Sequence, residues 1–478
     1  MLLWELSDSW VSTLAGILFL LTTIATIAVV ILDNRSPVKT LTWVLMLTFL
    51  PVVGLILYYF FGQDYRKERL ISKKGFARLT KYPMMEFQQQ KSFRCPDGHY
   101  LLIRFFRKVS GALPFEGNRV QVLSDGYAML QSLLESIARA RHHIHIQFYI
   151  FENDAVGRLV RDALVDKVKE GVEVRVLYDD VGSWQVPRDF FDEMRRAGIE
   201  THSFLKVRFP RFTSKVNYRN HRKVVVVDGC VGFVGGMNLA CRYQKGVSWG
   251  VWRDTHLRIE GRAVYGLQTS FLTDWYATDH SLLASPAYFP EMEGKGTSLV
   301  QIVTSHPVGE CRGIMQGLLV AIASARKYFY IQTPYLLPTE PILMALKTAA
   351  WGGVDVRIMI PARGDSRLTH LASLSYLNEL MRAGVRIYLY EKGFLHSKLM
   401  VSDDILSTVG STNMDFRSFE HNFEVNAFMY DRTSALELKN LFLSDQKDCA
   451  LLHRRMWRRR PWYQKVAESV IRLFAPLL

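Results

Sequence analysis

Two short stretches of the chain carry the same reactive side chains at the same spacing, in the pattern H-x-K-x4-D. The stretches are "HRKVVVVDG" and "HSKLMVSDD", and the second begins 175 residues after the first. Their members are His221, Lys223 and Asp228 in the first copy and His396, Lys398 and Asp403 in the second. A single copy is explained by a strand edge followed by a turn-forming aspartate. A second copy at a corresponding place favours a shared chemical role.

Two imidazoles and two ammonium groups around one site suit a phosphodiester substrate. The lysines would neutralise the phosphate oxygens and the charge that grows in the transition state. One neutral imidazole would attack phosphorus, while the other, protonated, would donate its proton to the leaving alkoxide. The second imidazole would then activate an incoming hydroxyl, and a pKa near neutrality suits both tasks. This scheme needs no metal or other cofactor, and the sequence offers no carboxylate cluster to hold a metal.

Further polar residues follow both motifs at matching distances. "GGMN" ends in Asn238, and "GSTN" contains Ser411 and Asn413; we expect these side chains to bind the phosphate beside the lysines. Asp254 in "WRDTH" and Glu424 in "FEHNFEVN" lie 26 and 21 residues beyond the motif aspartates. A catalytic histidine needs a partner on its other ring nitrogen, so both acids are candidates for orienting the imidazoles. The alternative is that they are ordinary acids at strand edges.

The sequence that surrounds the motifs is duplicated. "IARARHHIHIQ" (137–147) matches "IASARKYFYIQ" (322–332), and "GVEVRVL" matches "GVDVRIM". Each half alternates strand-like runs with amphipathic helical patterns, which is typical of an α/β fold with a largely parallel or mixed sheet. We expect two fused domains over 116–290 and 291–450. A motif strand from each domain would then meet at a pseudo-twofold axis and form one anion site.

The first 62 residues contain two long uncharged segments. Trp10–Leu32 and 40–62 are each long enough to cross a bilayer, which takes about 20 apolar residues. We expect helices over about 10–32 and 40–62 that form a transmembrane hairpin within residues 1–66. The alternative is one spanning helix followed by a re-entrant segment. Either arrangement predicts an integral membrane protein.

Basic residues dominate outside these segments, and the net charge is +15. Nucleic acid and anionic lipid both fit that charge, and the membrane segments favour lipid. Residues 67–115 read as a basic juxtamembrane linker, which places the large body in the cytoplasm by the positive-inside rule. Glu5 and Asp8 at the amino terminus are a mild counter-signal. Residues 451–478 predict a basic amphipathic tail at the lipid interface, or alternatively a helix docked onto the body.

The remaining metal-ligating residue types form no recognisable site. The five cysteines are widely spaced without a CxxC pair, so we expect neither a disulfide framework nor a zinc site. His143 and His145 in "HHIHI" alternate with isoleucine along a strand, and the matching "YFYI" has no histidine. We therefore expect surface or pocket positions for these two rings rather than a metal site.

The doubled motif, with its Gly-Gly or Gly-Ser turn and asparagine, resembles the phospholipase D superfamily. The helical hairpin, basic segment, two domains and basic tail resemble the bacterial cardiolipin synthases with two transmembrane helices. The resemblance implies two tandem phospholipase D-like domains with mixed sheets flanked by helices. It implies His221 as the nucleophile and His396 as the general acid and base, with both motif lysines and asparagines on the phosphate. The motif aspartates would be more structural than catalytic.

The implied reaction transfers phosphatidyl from one phosphatidylglycerol to another through a phosphohistidine, giving cardiolipin and glycerol. The implied location is the bacterial inner membrane, multi-pass, with the catalytic body in the cytoplasm. Phosphatidylglycerol and anionic membrane lipids would be partners and nucleic acid would not, while the oligomeric state stays open. A membrane phospholipase D, with water as the acceptor, is the alternative that the same residues allow. A non-catalytic lipid-binding scaffold is disfavoured because both motifs are complete.

Overall fold

A computed structural model describes most of the chain as two compact units. The described residues are 2–33, 37–62, 70–90, 95–96, 98–207 and 217–477. The N-terminal unit comprises Met1–Glu68 and Val207–Asn217, and the larger unit, the body, comprises Arg69–Lys206 and Tyr218–Leu478. The basic residues at positions 66, 67 and 69, which support the predicted orientation, lie outside the described residues.

The N-terminal unit is helical. Its elements are α1 (Leu2–Leu32), α2 (Pro37–Phe49), α3 (Pro51–Leu57) and a π-helical turn (Tyr58–Gly62). The part of α1 over Trp10–Leu32 is 23 residues long. Among the described residues it is the one helix that is long and apolar enough to cross a bilayer. It coincides with the first predicted span.

The second apolar segment differs from the single helix expected over 40–62. The helix begins at Pro37 and is broken at Leu50, whose φ of −132° and ψ of 60° leave the helical region. Pro51 has no N–H to donate into the preceding turn, and its ring crowds the carbonyl of that turn. The chain then doubles back and brings Gly54 against the preceding helix. A Cβ on Gly54 would lie only 3.0 Å from the carbonyl oxygen of Met46. The second apolar segment is therefore two short helical legs rather than the one helix expected over 40–62.

The body is built on one continuous mixed sheet with helices on its faces. The strands are β1 (Pro114–Leu123), β2 (His143–Phe148), β3 (Glu173–Asp179), β4 (Glu200–Phe204), β5 (Arg219–Asn220), β6 (Val224–Val227), β7 (Val231–Gly235), β8 (Val251–Arg253), β9 (His256–Glu260), β10 (Ser298–Ser305), β11 (Tyr328–Gln332), β12 (Leu336–Leu337), β13 (Asp355–Pro361), β14 (Arg386–Tyr390), β15 (Gly393–Leu395), β16 (Leu399–Ser402), β17 (Leu406–Gly410), β18 (Met414–Asp415), β19 (Asn422–Tyr430) and β20 (Cys449–Leu451). The helices are α4 (Lys73–Leu79), α5 (Lys81–Gln89), α6 (Tyr100–Ser110), α7 (Gly126–Ala138), α8 (Ala155–Lys169), α9 (Arg188–Arg196), α10 (Arg242–Lys245), α11 (Val264–Asp279), α12 (Gly313–Ser324), α13 (Glu340–Trp351), α14 (Arg367–Arg382), α15 (Phe416–Glu420), α16 (Arg432–Gln446), α17 (Arg454–Arg458) and α18 (Trp462–Arg472), with 3₁₀ turns at Pro286–Tyr288 and Ala475–Leu477.

The strand order confirms the duplication. The first half runs β1-β9-β7-β6-β2-β3-β4, and the second runs β10-β19-β17-β16-β11-β13-β14 with β20 added at its edge. Three neighbouring strands are parallel in each half, β2, β3 and β4 in the first and β11, β13 and β14 in the second. The other neighbouring strands are antiparallel. The halves join where β1 pairs antiparallel with β10. Two mixed sheets of the same topology therefore merge into one, as two tandem domains require.

Alternation along the strands divides the core into layers. In β6, Val224 and Val226 pack into a core that both halves share, while Val225 and Val227 face a core that belongs to the first half. Successive side chains of a strand point to opposite faces, so four consecutive valines suit a strand covered on both sides. Helices α11 and α16 contribute Trp275 and other large side chains to the shared core.

The segments predicted as linker and tail are both packed against the body. Residues 67–115 contain α4, α5 and α6, and Phe106 of α6 lies with its ring centroid 4.5 Å from that of Phe428. At the other end, Arg472 of α18 lies 4.1 Å over the ring of Tyr376 in α14. The outer face of α18 still exposes Trp462 and its apolar neighbours. The tail is thus a docked helix with an apolar edge.

Candidate active site

Each motif histidine follows a short strand that pairs with the other half of the body. Strand β5 pairs parallel with β19, and the N–H of His221 donates to the carbonyl of Phe423 at 3.0 Å. Strand β15 pairs parallel with β8, and the N–H of His396 donates to the carbonyl of Arg253 at 2.7 Å. These two pairings fix the backbone of each histidine against a strand from the opposite half.

The residue that follows each accepting carbonyl is the acid that contacts the imidazole. His221 Nδ1 lies 3.1 and 3.2 Å from the two carboxylate oxygens of Glu424. His396 Nδ1 lies 2.6 Å from Asp254 Oδ2. Each acid stands downstream of one motif in the sequence but contacts the histidine of the other motif. Neither half alone therefore provides a histidine together with its acid.

Both motif lysines are buried beside their histidines. Lys223 Nζ donates to the carbonyl of His221 at 2.6 Å and lies 5.3 Å over the ring of Tyr149. Lys398 Nζ lies 2.9 Å from His396 Nδ1 and also donates to the carbonyl of His396. Burial lowers the pKa of Lys398 to about 8 and that of Lys223 well below its usual value. Burial therefore disfavours the ammonium form of both lysines, and an anion bound beside them would favour it.

The two imidazoles share one electrostatic environment. Burial lowers the pKa of His221 to about 4, helped by Lys223 and opposed by Glu424. Burial likewise lowers the pKa of His396 to about 4, helped by Lys398. The lysine of the other half also lowers the pKa of each histidine, so all four groups surround a single site. Both rings are consequently neutral at pH 7 in the ligand-free protein.

The orienting acids stay ionised in spite of their burial. Burial works to raise the pKa of Asp254, but Lys398 and His396 outweigh it and hold the pKa below its usual value. At Glu424, burial also works to raise the pKa, but His221 and Lys223 outweigh it and hold the pKa below its usual value. A carboxylate on Nδ1 keeps the opposite ring nitrogen, Nε2, available for the reaction.

A cavity of about 300 Å³ opens onto both histidines. Aromatic side chains that the sequence analysis missed form part of its wall. Tyr149 meets the His221 ring edge to face with centroids 5.1 Å apart, and Trp252 lies 5.3 Å from the His396 ring. A signal existed in the repeat, because "IQFY" and "IQTPY" span the ends of the equivalent strands β2 and β11. Tyr149 and Tyr335, just beyond those strands, both line the cavity.

The predicted phosphate-binding asparagines line the cavity, but their amides are engaged with neighbouring groups. Asn238 Oδ1 accepts from the N–H of Ile150 at 3.1 Å, and Nδ2 donates to the hydroxyl of Tyr243 at 2.6 Å. Asn413 donates to the carboxylate of Asp415. Since Tyr243 accepts from Asn238, its own hydroxyl proton is free to donate toward an anion in the cavity.

Ser411 contacts an acid rather than facing the cavity. Its hydroxyl donates to the carboxylate of Glu424 and accepts from the N–H of Val425 at 3.0 Å. We expected this hydroxyl to bind the phosphate. The structure places it behind the imidazole of His221, where it holds Glu424 in position.

The motif aspartates fix loops of the fold. Asp228 and Asp403 adopt left-handed backbone conformations, with φ of 51° and 55°. The Asp228 carboxylate accepts three backbone N–H groups at residues 141–143, and the Asp403 carboxylate accepts three at residues 326–328. Each one therefore ties the end of a motif strand to the start of the neighbouring strand, β2 or β11.

The histidines of "HHIHI" occupy the core and not a surface or a pocket. His143 Nε2 lies 3.2 Å from Gln268 Oε1, and the ring of His145 stacks on Phe271 with centroids 4.5 Å apart. Both side chains are fully buried, so the predicted surface or pocket position is wrong. His143 and His145 both face α11, the helix that contains Gln268 and Phe271. Within the described part of the chain, no group of three or more metal-ligating side chains is placed to hold an ion.

Comparison with known proteins places this site in a family. The family model described as "Cardiolipin synthase, PLD-like domain" matches residues 133–265 and 318–446, more than half of the chain and one match in each half. The chain belongs to the cardiolipin synthase family of phospholipase D-like proteins. A second model, described as "Phospholipase_D-nuclease N-terminal", matches residues 20–63. The doubled motif lies within the two cardiolipin synthase matches.

Relatives within this family match nearly the whole chain. A cardiolipin synthase of Alkalihalophilus pseudofirmus is 40% identical and covers 98% of this chain and 95% of its own. The major cardiolipin synthase of Bacillus subtilis is 39% identical, with 98% of this chain and 99% of its own covered. A solved phosphatidylserine synthase of Haemophilus influenzae shares the fold at 14% identity, with a TM-score of 0.59 over 80% of this chain and 98% of its own.

Proposed function

We propose that this member of the cardiolipin synthase family transfers phosphatidyl from one phosphatidylglycerol to a second, giving cardiolipin and glycerol. The observation that carries the proposal is the pair of histidines, each held by a buried acid from the opposite half and both facing one cavity. Near-full-length relatives named cardiolipin synthases support the choice of reaction. The substrate class is therefore a phospholipid.

The reaction proceeds in two displacements at phosphorus. The neutral imidazole of His221 attacks the phosphodiester, forming an N–P bond as the glycerol oxygen leaves with a proton from His396. His396, now neutral, takes the proton of the terminal hydroxyl of the second lipid. That oxygen attacks phosphorus and the N–P bond breaks. The assignment of nucleophile and acid comes from the family resemblance, and the near-symmetric geometry accommodates it.

Substrate binding prepares the acid. In the ligand-free protein, burial and the neighbouring lysine hold the pKa of each histidine near 4. A phosphodiester anion between Lys223 and Lys398 offsets their charge and raises the pKa values of the imidazoles. One imidazole then takes up the proton that it later gives to the leaving alkoxide. One phosphodiester replaces another, so this chemistry requires no nucleotide.

The lipid substrate requires a membrane location, and α1 provides an apolar anchor. We place the body on the cytoplasmic face of a bacterial membrane because basic residues cluster after residue 62. The apolar edge of α18 lies at the bilayer surface in this arrangement. Trp462, Val466 and Leu473 are exposed on that edge, and arginines precede it in the chain.

Lipid mass spectrometry after incubation of the purified protein with phosphatidylglycerol tests the proposal. Equal amounts of cardiolipin and glycerol are expected. Phosphatidic acid as the main lipid product would instead identify a phospholipase D. The His221→Ala and His396→Ala variants should each lose the cardiolipin signal, because each displacement needs both imidazoles.

A further inference from the structure

The turn after each motif leads to an arginine at an equivalent position. Arg242 stands four residues after Asn238, and Arg417 stands four residues after Asn413. Both arginines line the cavity that contains the two histidines. The duplication therefore supplies a second pair of cations in addition to the motif lysines.

The two arginines differ in what neutralises them. Arg242 forms an ion pair with Glu152 and lies 5.9 Å over the ring of Trp252. Arg417 makes no ion pair or side-chain hydrogen bond with any part of the chain that the structure describes. Its charge is felt at Tyr149, the ring that packs against His221. Among the described residues Arg417 is thus a cation without a direct ion pair, in a wall that also contains Asp365 and Asp415.

Two buried amide oxygens in the same wall also lack a hydrogen-bond donor. They are Asn413 Oδ1 and Asn422 Oδ1. Their orientation is set from the other end, since Asn413 donates to Asp415 and Asn422 Nδ2 donates to Glu424 Oε1 at 3.2 Å. Buried acceptors of this kind are almost always paired, so they point to a ligand that brings hydroxyl groups.

We propose that Arg417, Asn413 and Asn422 form the subsite for the acceptor lipid. Arg417 binds the phosphate that does not react, and the two amide oxygens accept from the hydroxyls of its glycerol. The inference rests on the proposed function and names the feature that favours a second phosphatidylglycerol over water. A cavity of about 300 Å³ holds about ten water volumes, enough for a glycerol between two phosphates.

Two reactions of the same protein separate the subsite from the reaction centre. Exchange of labelled glycerol into phosphatidylglycerol uses the donor phosphate and no second phosphate. Cardiolipin synthesis uses both. Arg417→Gln should keep glycerol exchange and lower the ratio of cardiolipin synthesis to exchange by about tenfold or more, because a charge-assisted contact to phosphate is lost. Arg242→Gln, at the equivalent position, should leave that ratio unchanged.

Each other outcome overturns the inference. An unchanged ratio in Arg417→Gln shows that the residue does not distinguish acceptors. Equal loss of exchange and synthesis places Arg417 at the reacting phosphate. If the unaltered protein exchanges glycerol but makes no cardiolipin, the proposed function itself is wrong and the subsite falls with it. Arg139→Gln, at an exposed arginine outside the lining of the cavity, controls for loss of charge alone.

A different observation concerns how the N-terminal unit meets the membrane. Helix α2 has 13 residues, and α3 with the π-helical turn has 12. The rings of Trp43 and Tyr58 lie 5.4 Å apart, so the two legs run side by side in opposite directions. At 1.5 Å per residue each leg is about 20 Å long or less. A bilayer core of about 30 Å is too thick for either leg.

We infer that the chain crosses the membrane once, in α1, and that α2 and α3 form a re-entrant hairpin. Both ends of the hairpin then lie on one side. The positive-inside rule puts Arg35 and Lys39 on the cytoplasmic side with the basic residues after position 62. The amino terminus, which carries Glu5 and Asp8 and no lysine or arginine before α1 becomes apolar, lies outside. A two-span arrangement would place this acidic terminus in the cytoplasm, and the single-span arrangement removes that counter-signal.

Single-cysteine variants labelled with a membrane-impermeant maleimide test the topology. In spheroplasts, Ser7→Cys should be labelled, whereas Ser36→Cys should be labelled only after the membrane is disrupted. A two-span hairpin gives the reverse result for both positions, and labelling of Ser36→Cys in intact spheroplasts overturns the inference. A variant that retains only Cys311, an exposed cysteine of the body, reports whether the membrane is intact.

Discussion

The crossed pairing of acids and histidines makes a sharp prediction for Glu424→Gln. Glu424 is fully buried and contacts His221 Nδ1 through both oxygens. Glutamine keeps the size of the side chain but removes the charge. Its amide nitrogen can also donate, so the imidazole can adopt the tautomer that presents the wrong nitrogen to phosphorus.

The expected loss follows from these contacts. A hydrogen bond to an ionised partner contributes about 1.5–3 kcal/mol, which is about 10- to 150-fold in rate. The wrong tautomer adds to this, and the comparable Asp-to-Asn change in a serine protease lowers kcat by about 10⁴. We therefore expect Glu424→Gln to lower kcat between about 100- and 10,000-fold. KM should change little, because Glu424 does not face the cavity.

Initial rates of cardiolipin formation at several phosphatidylglycerol concentrations provide the assay. Glu420→Gln is the matched control, since this acid lies four residues earlier and pairs with Arg312 at 3.4 Å, away from the histidines. A kcat for Glu424→Gln close to that of the control would refute the crossed arrangement. Asp254→Asn should behave like Glu424→Gln, because Asp254 serves His396 in the same way.

Three further outcomes are expected. Ser411→Ala should lower kcat about tenfold, because Glu424 loses a hydrogen bond that holds it behind His221; an unchanged kcat would contradict this positioning role. The pKa of Lys398, about 8, means that its ammonium is present below that pH and lost above it, so kcat/KM for phosphatidylglycerol should fall above about pH 8. A flat profile from pH 7 to 10 would exclude Lys398 as a phosphate ligand. Asp274→Ala should lower the free energy of unfolding by about 3–5 kcal/mol, because it leaves the buried Arg222 charge unpaired; thermal unfolding in detergent measures the loss.

The sequence predicts the fold well where the signal is local or repeated. Four consecutive valines followed by Asp-Gly predict a buried strand that ends in a turn, and the duplicated strings predict two α/β halves of one topology. The doubled His and Lys predict one site because each copy is complete. Alternation and repetition are properties that a single sequence displays directly.

The remaining features depend on contacts between residues far apart in the chain. The pairing of β5 with β19 and of β8 with β15 decides which acid meets which histidine. No spacing within one motif contains that information, since Glu424 lies 203 residues from His221. The contact of Ser411 with Glu424 and the break at Pro51 are local, but their consequences appear only once the neighbouring strand or helix is in place.

Trapping of the covalent intermediate tests the central claim most directly. The protein is mixed with phosphatidylglycerol labelled at phosphorus, quenched with denaturant at alkaline pH, and digested for mass spectrometry. We expect a phosphatidyl group on His221 in the unaltered protein, strongly reduced in His396→Ala, where the leaving alkoxide lacks its acid, and absent from His221→Ala. Label on a residue other than the two histidines, or full cardiolipin output from either variant, would contradict the shared two-histidine reaction centre.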